Sequence, residues 1–456
     1  MRRVVKVSRI RIIITIIVVV LTTLLTGCTG KEPNEIAYVV ALGIDSTDDD
    51  NYKITIQYAN TTQISGGASE SGGKAGSEIV DNVTIEAPNI YAGVGLANNI
   101  VSKSFSMSHA KLIVFSKEIA EKGVKDMIET LVRSEEIRPD VFIAVANTTA
   151  NDYLTSVNPE MEVNPAQYYQ LIYQKNQLVG IPDGQLREFF TGLYTDNYDS
   201  ILPVAGVIEG AGGNSQNDDK GQSKDGQNEG SEGSSESLDS FESKSSDDKD
   251  ENEKEKDAEK NTSKYEYDIK NYVGGETAIE KKNKAEAIGA AVFEKDKMVG
   301  ELGEVETEIC KMLKGDYTYS YLTYYNNDTP DIPITVKTTQ QKKPKYKIDT
   351  DKKTVDIELY IESDLYSLPA DYNVENKIED FERDVANYTS STCTKFINNF
   401  TKKYNSDILK LNEKVKYKFL TNNQYNWFKK NVGWSEYKFS VCTNFKVRRT
   451  GLIVRE

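Results

Sequence analysis

The residue with the plainest chemical role is Cys28. It closes the tetrapeptide Leu25-Thr26-Gly27-Cys28, which ends an uncharged run at residues 12–25 rich in Ile, Val and Leu. Arg2, Arg3, Lys6, Arg9 and Arg11 form a basic head in front of that run. A positive head, an apolar centre and a small-residue exit describe an export signal. A thiol at the exit offers a lipidating enzyme a nucleophile for a diacylglyceryl group, and Gly27 lets the backbone enter a cleavage site. The expectation is a lipoprotein: a signal peptide at 1–27 is removed, and Cys28 carries acyl chains such as palmitate into a bilayer. A transmembrane helix is the competing reading. It needs about 20 apolar residues, and the uncharged run has 14. Each buried methylene contributes about 0.8 kcal/mol, so two acyl chains hold a protein where one barely does.

Little else in the chain points to chemistry. His109, the only histidine, lies in Met107-Ser108-His109-Ala110-Lys111 before an apolar run. A turn or strand-edge histidine with a satisfied hydrogen bond is expected there. Cys310, Cys393 and Cys442 are an odd, widely spaced set with no CxxC pair. They read as three buried free thiols, with one bridge among the three possible pairs as the alternative, and not as a disulfide framework or a zinc site. Glu301, Glu304, Glu306 and Glu308 read as a solvated helix start, with acids near its positive end. Asp48-Asp49-Asp50-Asn51 does not match a calcium loop. No GxSxG elbow and no GxxxxGK[ST] loop occurs, and Gly93-Val94-Gly95 sits in a helical pattern without a third glycine. Neither an enzyme nor a cofactor or metal is expected.

The formal net charge is −15. Residues 211–264 hold 16 acidic and 8 basic residues, so that stretch contributes −8. The basic clustering of a nucleic-acid surface is missing. The same stretch is poor in large apolar residues and reads as a disordered acidic insertion. Extended segments flank it at 201–209 and 287–293. Pairing them would make it a loop within one domain, the reading preferred over a linker.

The elements that would position these residues alternate in type. Residues 35–45 and 52–58 read as a hairpin, 65–77 as a Gly/Ser-rich loop and 79–85 as a third strand. Helices are expected at 88–101, 117–135, 149–157, 165–178 and 183–194. Strands are expected at 110–115 and 140–146, the latter buried on both faces. In the C-terminal third, a half-exposed strand at 355–362 is followed by a long helix at 374–404 and a second helix at 412–430. A final antiparallel-type strand spans 437–448. The expected fold is mixed α/β (α+β), with sheets packed by helices in three domains: 28–158, 159–315 with the insertion, and 316–456.

Four segments carry a resemblance beyond the lipidation motif. They are Gly43-Ile44-Asp45, the run His109-Ala110-Lys111-Leu112-Ile113-Val114-Phe115-Ser116 leading to Glu118 and Gly123, the run from Ala291 to Leu302 with Glu306-Thr307, and Asp407-Ile408-Leu409-Lys410-Leu411 with Trp434. In this order they resemble the Ger(x)C family, the lipoprotein C subunits of spore germinant receptors. The resemblance implies a non-catalytic three-domain α/β protein on the outer face of the inner spore membrane. It implies A-type and B-type integral membrane subunits as partners, in an assembly that senses nutrients and triggers germination. It transfers a chemical role to Cys28 alone and assigns no ligand-binding residues. The alternative is a substrate-binding lipoprotein of an uptake system, which would show two similar doubly wound lobes.

Overall fold

A computed structural model describes residues 13–18, 35–49, 51–59, 80–158, 165–174, 180–195, 197–208, 271–277, 283–325, 333–367, 377–404 and 406–450. The tetrapeptide Leu25-Thr26-Gly27-Cys28, the Gly/Ser-rich loop at 65–77 and the acidic segment 211–264 lie outside the described residues. Residues 13–18 are helical, and no helix among the described residues is long and apolar enough to cross a membrane.

The first half of the chain lays down β1 (Ile36–Ser46), β2 (Tyr52–Ala59), β3 (Val80–Ala87), α1 (Ile90–Ile100), β4 (Ser104–Ser106), β5 (Leu112–Ser116), α2 (Lys117–Lys122) and α3 (Lys125–Val132). Then come β6 (Phe142–Ala146), α4 (Ala150–Ser156), α5 (Pro165–Gln174), α6 (Leu186–Thr195), β7 (Ile201–Val207), β8 (Ala285–Glu294) and β9 (Lys297–Leu302). These strands form one nine-stranded sheet, in the order β3-β2-β1-β5-β6-β7-β8-β9, with β4 also paired to β1. The centre, β1-β5-β6-β7, is parallel, and antiparallel strands flank it on both sides. Strands from both sides of residue 158 therefore join the same sheet. β7 and β8 pair antiparallel, as expected, so the chain between them leaves and re-enters one sheet.

Both faces of the parallel centre are covered, which is why its strands are apolar without alternation. Ile113, Phe115, Ile143 and Val145 pack in one core cluster with Ile90 and Val94 of α1, Ile119 of α2, Ile128 of α3 and Phe189 of α6. The alternate residues Leu112, Val114, Phe142 and Ala144 pack in another, with Tyr153 and Leu154 of α4 and Tyr169 and Tyr173 of α5.

The second half adds α7 (Glu304–Lys314), β10 (Tyr319–Tyr325), β11 (Pro333–Thr339), β12 (Lys345–Asp349), β13 (Thr354–Ser367), α8 (Ile378–Tyr404), α9 (Leu411–Val415), α10 (Asn422–Asn431) and β14 (Lys438–Arg449). β13 is the axis of a five-stranded sheet. It pairs β12 along its first half and β11 along its second, while β14 runs along its other edge. The stripe Phe381, Val385, Cys393, Ile397 and Phe400 of α8 lies over the inward residues Val355, Ile357, Leu359, Phe439, Val441 and Phe445. That core also takes in Ile201, Ala290, Val292 and Leu302 from the first sheet, with Ile309 and Leu313 of α7 between.

Several expectations are corrected. The single helix expected at 117–135 is two, because Gly123 turns to φ 123° and Val124 N–H leaves the helix to donate to the Asp296 carbonyl at 3.0 Å. The helix expected at 412–430 is also interrupted. Phe419 turns inward, and Thr421 with Gln424 forms a capping box that starts α10 afresh. The final strand is parallel to β13, not antiparallel. α8, α9 and α10 lie between the two, and a helical crossover returns the chain in the same direction. Its alternating pattern reports only that one face is wet.

Candidate functional site

Each segment singled out in the sequence closes a contact between elements. Gly43 lies where α4 crosses β1: a Cβ there would meet Leu154 Cδ1 at 3.0 Å and Ala150 Cβ at 3.1 Å. Two residues on, buried Asp45 accepts hydrogen bonds from Ala150 N–H at 2.6 Å and Asn151 N–H at 3.0 Å. It thus satisfies two of the free donors at the start of α4. Burial raises the Asp45 carboxyl above its ordinary range, and the two backbone donors pull it back. The second and third segments interlock. Ser116 caps α2, Lys117 pairs with Glu301 at 2.9 Å, and the turn after α2 rests on Asp296.

The fourth segment forms the junction of the two sheets. Asp407 is buried, and its carboxylate accepts from Leu411 N–H at 2.7 Å and Asn412 N–H at 2.8 Å. Its own N–H donates to Asp199 Oδ2 at 2.9 Å, while Asp199 N–H donates to the Asp407 carbonyl at 3.2 Å. Asp199 Oδ1 accepts from Lys295 N–H at 3.1 Å. One aspartate therefore ties the loop before β7, the β8–β9 turn and the segment after α8. Burial drives the Asp407 carboxyl up to about 7, against the pull of its two backbone donors. Lys410 reaches across to Glu188 at 3.1 Å and lies over the Tyr198 ring at 4.2 Å. Lys295 and Lys410 both adopt positive φ, 57° and 56°. Side chains rarely hold that conformation unless their surroundings enforce it. A cleft of about 570 Å³ opens beside this junction, between Asp199, Lys295, Asn426, Lys430 and Trp434.

Chemically, this arrangement holds parts together. Asp199 and Asp407 accept from backbone donors, and Lys410 pairs with an acid and a ring. Among the described residues no group of three or more His, Cys, Asp or Glu could hold a metal ion. His109 lies exposed in a short 3-10 turn, with Nδ1 3.0 Å from Ser108 Oγ and its ring edge-on to Tyr38. Gly93 belongs to α1, where a Cβ would strike Ile54 Cδ1 at 2.6 Å, so it serves packing. Cys310 and Cys393 are buried free thiols, whereas Cys442 is exposed. The expectation of three buried thiols fails at Cys442 because β14 turns every second residue to water. Of the four glutamates, Glu301 lies on β9, and Glu304 and Glu306 occupy the first turn of α7. The solvated reading fails: Glu301 is not in the helix, Glu304 is half-buried with its carboxyl raised by burial, and Glu308 departs furthest. It is half-buried, and burial raises its carboxyl to about 7 despite bonds to Ser320 and Tyr317.

Sequence reasoning missed Asp199, Glu188 and Tyr198. Isolated polar residues near helix and loop ends carry no pattern. Asp407, Lys410 and Lys295 lay inside singled-out segments, without a role.

Two family descriptions match the chain. "Spore germination protein N-terminal domain" matches residues 30–207, and "Spore germination B3/ GerAC like, C-terminal" matches residues 288–451. Spore germination protein KC of Bacillus subtilis (strain 168) is 26% identical over 174 residues, which cover 35% of this chain and 42% of that protein. Spore germination protein B3 of the same organism is 26% identical over 148 residues, covering 30% of this chain and 36% of that protein. The alignments thus span about two-fifths of the length of these relatives. The crystal structure of the GerBC protein superposes with a TM-score of 0.47 at 15% identity, covering 89% of this chain and 96% of that one.

Proposed function

The chain belongs to the Ger(x)C family, and we propose on that premise that it is a lipid-anchored, non-enzymatic subunit of a spore germinant receptor. The supporting observation is the pair of family matches, which flank the acidic segment and take in all four singled-out segments. Cys28 would hold the body at the outer face of the inner spore membrane. Confinement there raises its effective concentration toward A-type and B-type membrane subunits, so modest contacts suffice for assembly. Asp199 and Asp407 spend their carboxylates on backbone donors of neighbouring segments, as a structural part of a signalling assembly would.

The test is genetic. In a strain lacking redundant receptors, deletion of the gene should abolish nutrient-triggered germination, and Cys28→Ala should impair it. Normal germination of the deletion strain refutes the reading. Mass spectrometry of the protein from its host separates the anchor from the role. An unmodified, uncleaved start removes the anchor and leaves the subunit assignment to the germination assay.

A further inference from the structure

We propose that the face formed by residues 416–430 rests on an anionic lipid surface. In a chain of net charge −15, residues 416–430 carry four lysines and no acidic residue. Three large apolar side chains in this short stretch stand in water: Leu420 is 95% exposed, Tyr417 79% and Trp427 68%. The fold does not require them there. Its own demand is met by the inward residues: Phe419 packs on Phe428 at 4.9 Å and Tyr425 at 5.9 Å, and Phe428 meets Trp434 at 6.1 Å. A residue just before a helix cap commonly packs back onto the first turn. Here Phe419 occupies the Tyr425 ring, and Leu420, directly before the cap Thr421, is left outside.

With Tyr425 and Phe428 facing in, the helical repeat turns Asn423, Trp427 and Lys430 outward together, spaced four and three apart. Lys416 and Lys430 are exposed, beside Tyr417 and Trp427 in the chain. Tryptophan and tyrosine beside lysines match the water–bilayer boundary, where rings enter the headgroup layer and amines meet lipid phosphates. A protein partner fits less well. Protein interfaces favour arginine and are depleted in lysine, and this stretch has four lysines and no arginine. The contact does not depend on the Cys28 tether.

Trp427 reports on its own docking. The chain has two tryptophans, and Trp434 is 2% exposed, so subtracting the emission of Trp427→Phe isolates the outer ring. The full chain is reconstituted with vesicles of equal parts phosphatidylglycerol and phosphatidylcholine, and with phosphatidylcholine alone. On the anionic vesicles Trp427 emission should shift to the blue and be quenched by acyl-chain-brominated lipid. Lys416→Glu with Lys430→Glu should reverse this, at roughly fivefold in the docking equilibrium for each lysine removed. A chain that floats with the vesicles while Trp427 stays open to acrylamide overturns the proposal and spares the anchor. A chain that does not float, with Trp427 unshifted, overturns both. Shielding seen only in membranes that carry the other receptor subunits makes the occupant a protein and overturns the lipid assignment.

Discussion

The two sheets solve the burial problem in opposite ways. The parallel centre of the first is covered on both faces, so Leu112 to Ser116 and Phe142 to Ala146 are buried throughout. The second is covered on one face by α8 and open on the other. Along β14 the residues alternate, with Phe439, Val441, Thr443 and Phe445 inside and Ser440, Cys442, Asn444 and Lys446 outside. Polar groups follow suit. In the first sheet they are enclosed: Gln57 donates to the Leu154 carbonyl at 2.9 Å and accepts from the Tyr169 hydroxyl at 2.5 Å. In the second they form an open ladder, in which Ser440 meets Asp356 at 2.5 Å and Asn444 meets Glu358 at 2.9 Å. A doubly covered sheet has no tolerance for a lost partner, whereas water can replace one on an open face.

That contrast can be broken most sharply at Tyr153. It is fully buried, and its hydroxyl lies 2.9 Å from that of Tyr173. Tyr153→Ala should cost on the order of 3–5 kcal/mol in denaturant unfolding. Asp45→Ala comes next. It strips two donors at the start of α4 of their acceptor inside the covered body and should cost roughly 1–3 kcal/mol. A loss below a few tenths at either position would mean that the first sheet is not sealed.

The third prediction concerns pH, at the seam between the sheets. Burial raises Asp407 and Glu308 to about 7, above their unfolded values. The folded chain then holds protons that the unfolded chain has released. The stabilising contribution of these groups is complete below about pH 4 and is lost as pH rises through about 7. Thermal midpoints measured from pH 5 to pH 8 should fall with pH, and Asp407→Asn should flatten that fall. An unchanged slope in the variant would remove Asp407 from the account.

A fourth measurement reads the open face by reactivity. Cys442 should be alkylated in the native protein, while Cys310 and Cys393 wait for unfolding, since burial pushes both thiols up, Cys393 to about 12. Peptide mass mapping distinguishes them, and equal labelling would contradict the packing of α8. The smallest effect belongs to Asn444→Ala, expected within about 0.5 kcal/mol of the parent. A larger loss would show that the ladder, and not the covered face, holds β14 in place.

Much of this contrast was legible in the chain. Strand and helix periods place β1, β2, β6, β13 and α8 within a few residues of where they lie, because hydrophobic spacing is a local property. The pairing of β7 with β8 followed from two extended segments flanking a stretch that cannot form a core. At the helix expected over 117–135, the deciding contact was remote. Gly123 and the Asp296 carbonyl are far apart in sequence, yet together they split one helix into two.

Sequence alone determined most elements outside β9 to β12, which faces are apolar, and the ordered segments that mark the family, since each is written in neighbouring residues. Tertiary structure decided the direction of β14 and the meeting of Asp199, Lys295 and Asp407 at the seam. A parallel and an antiparallel edge strand present the same alternation, and direction depends on where the preceding helix returns the chain. An aspartate becomes a buried tie only when the fold brings donors from distant segments around it and removes the water that would otherwise serve them.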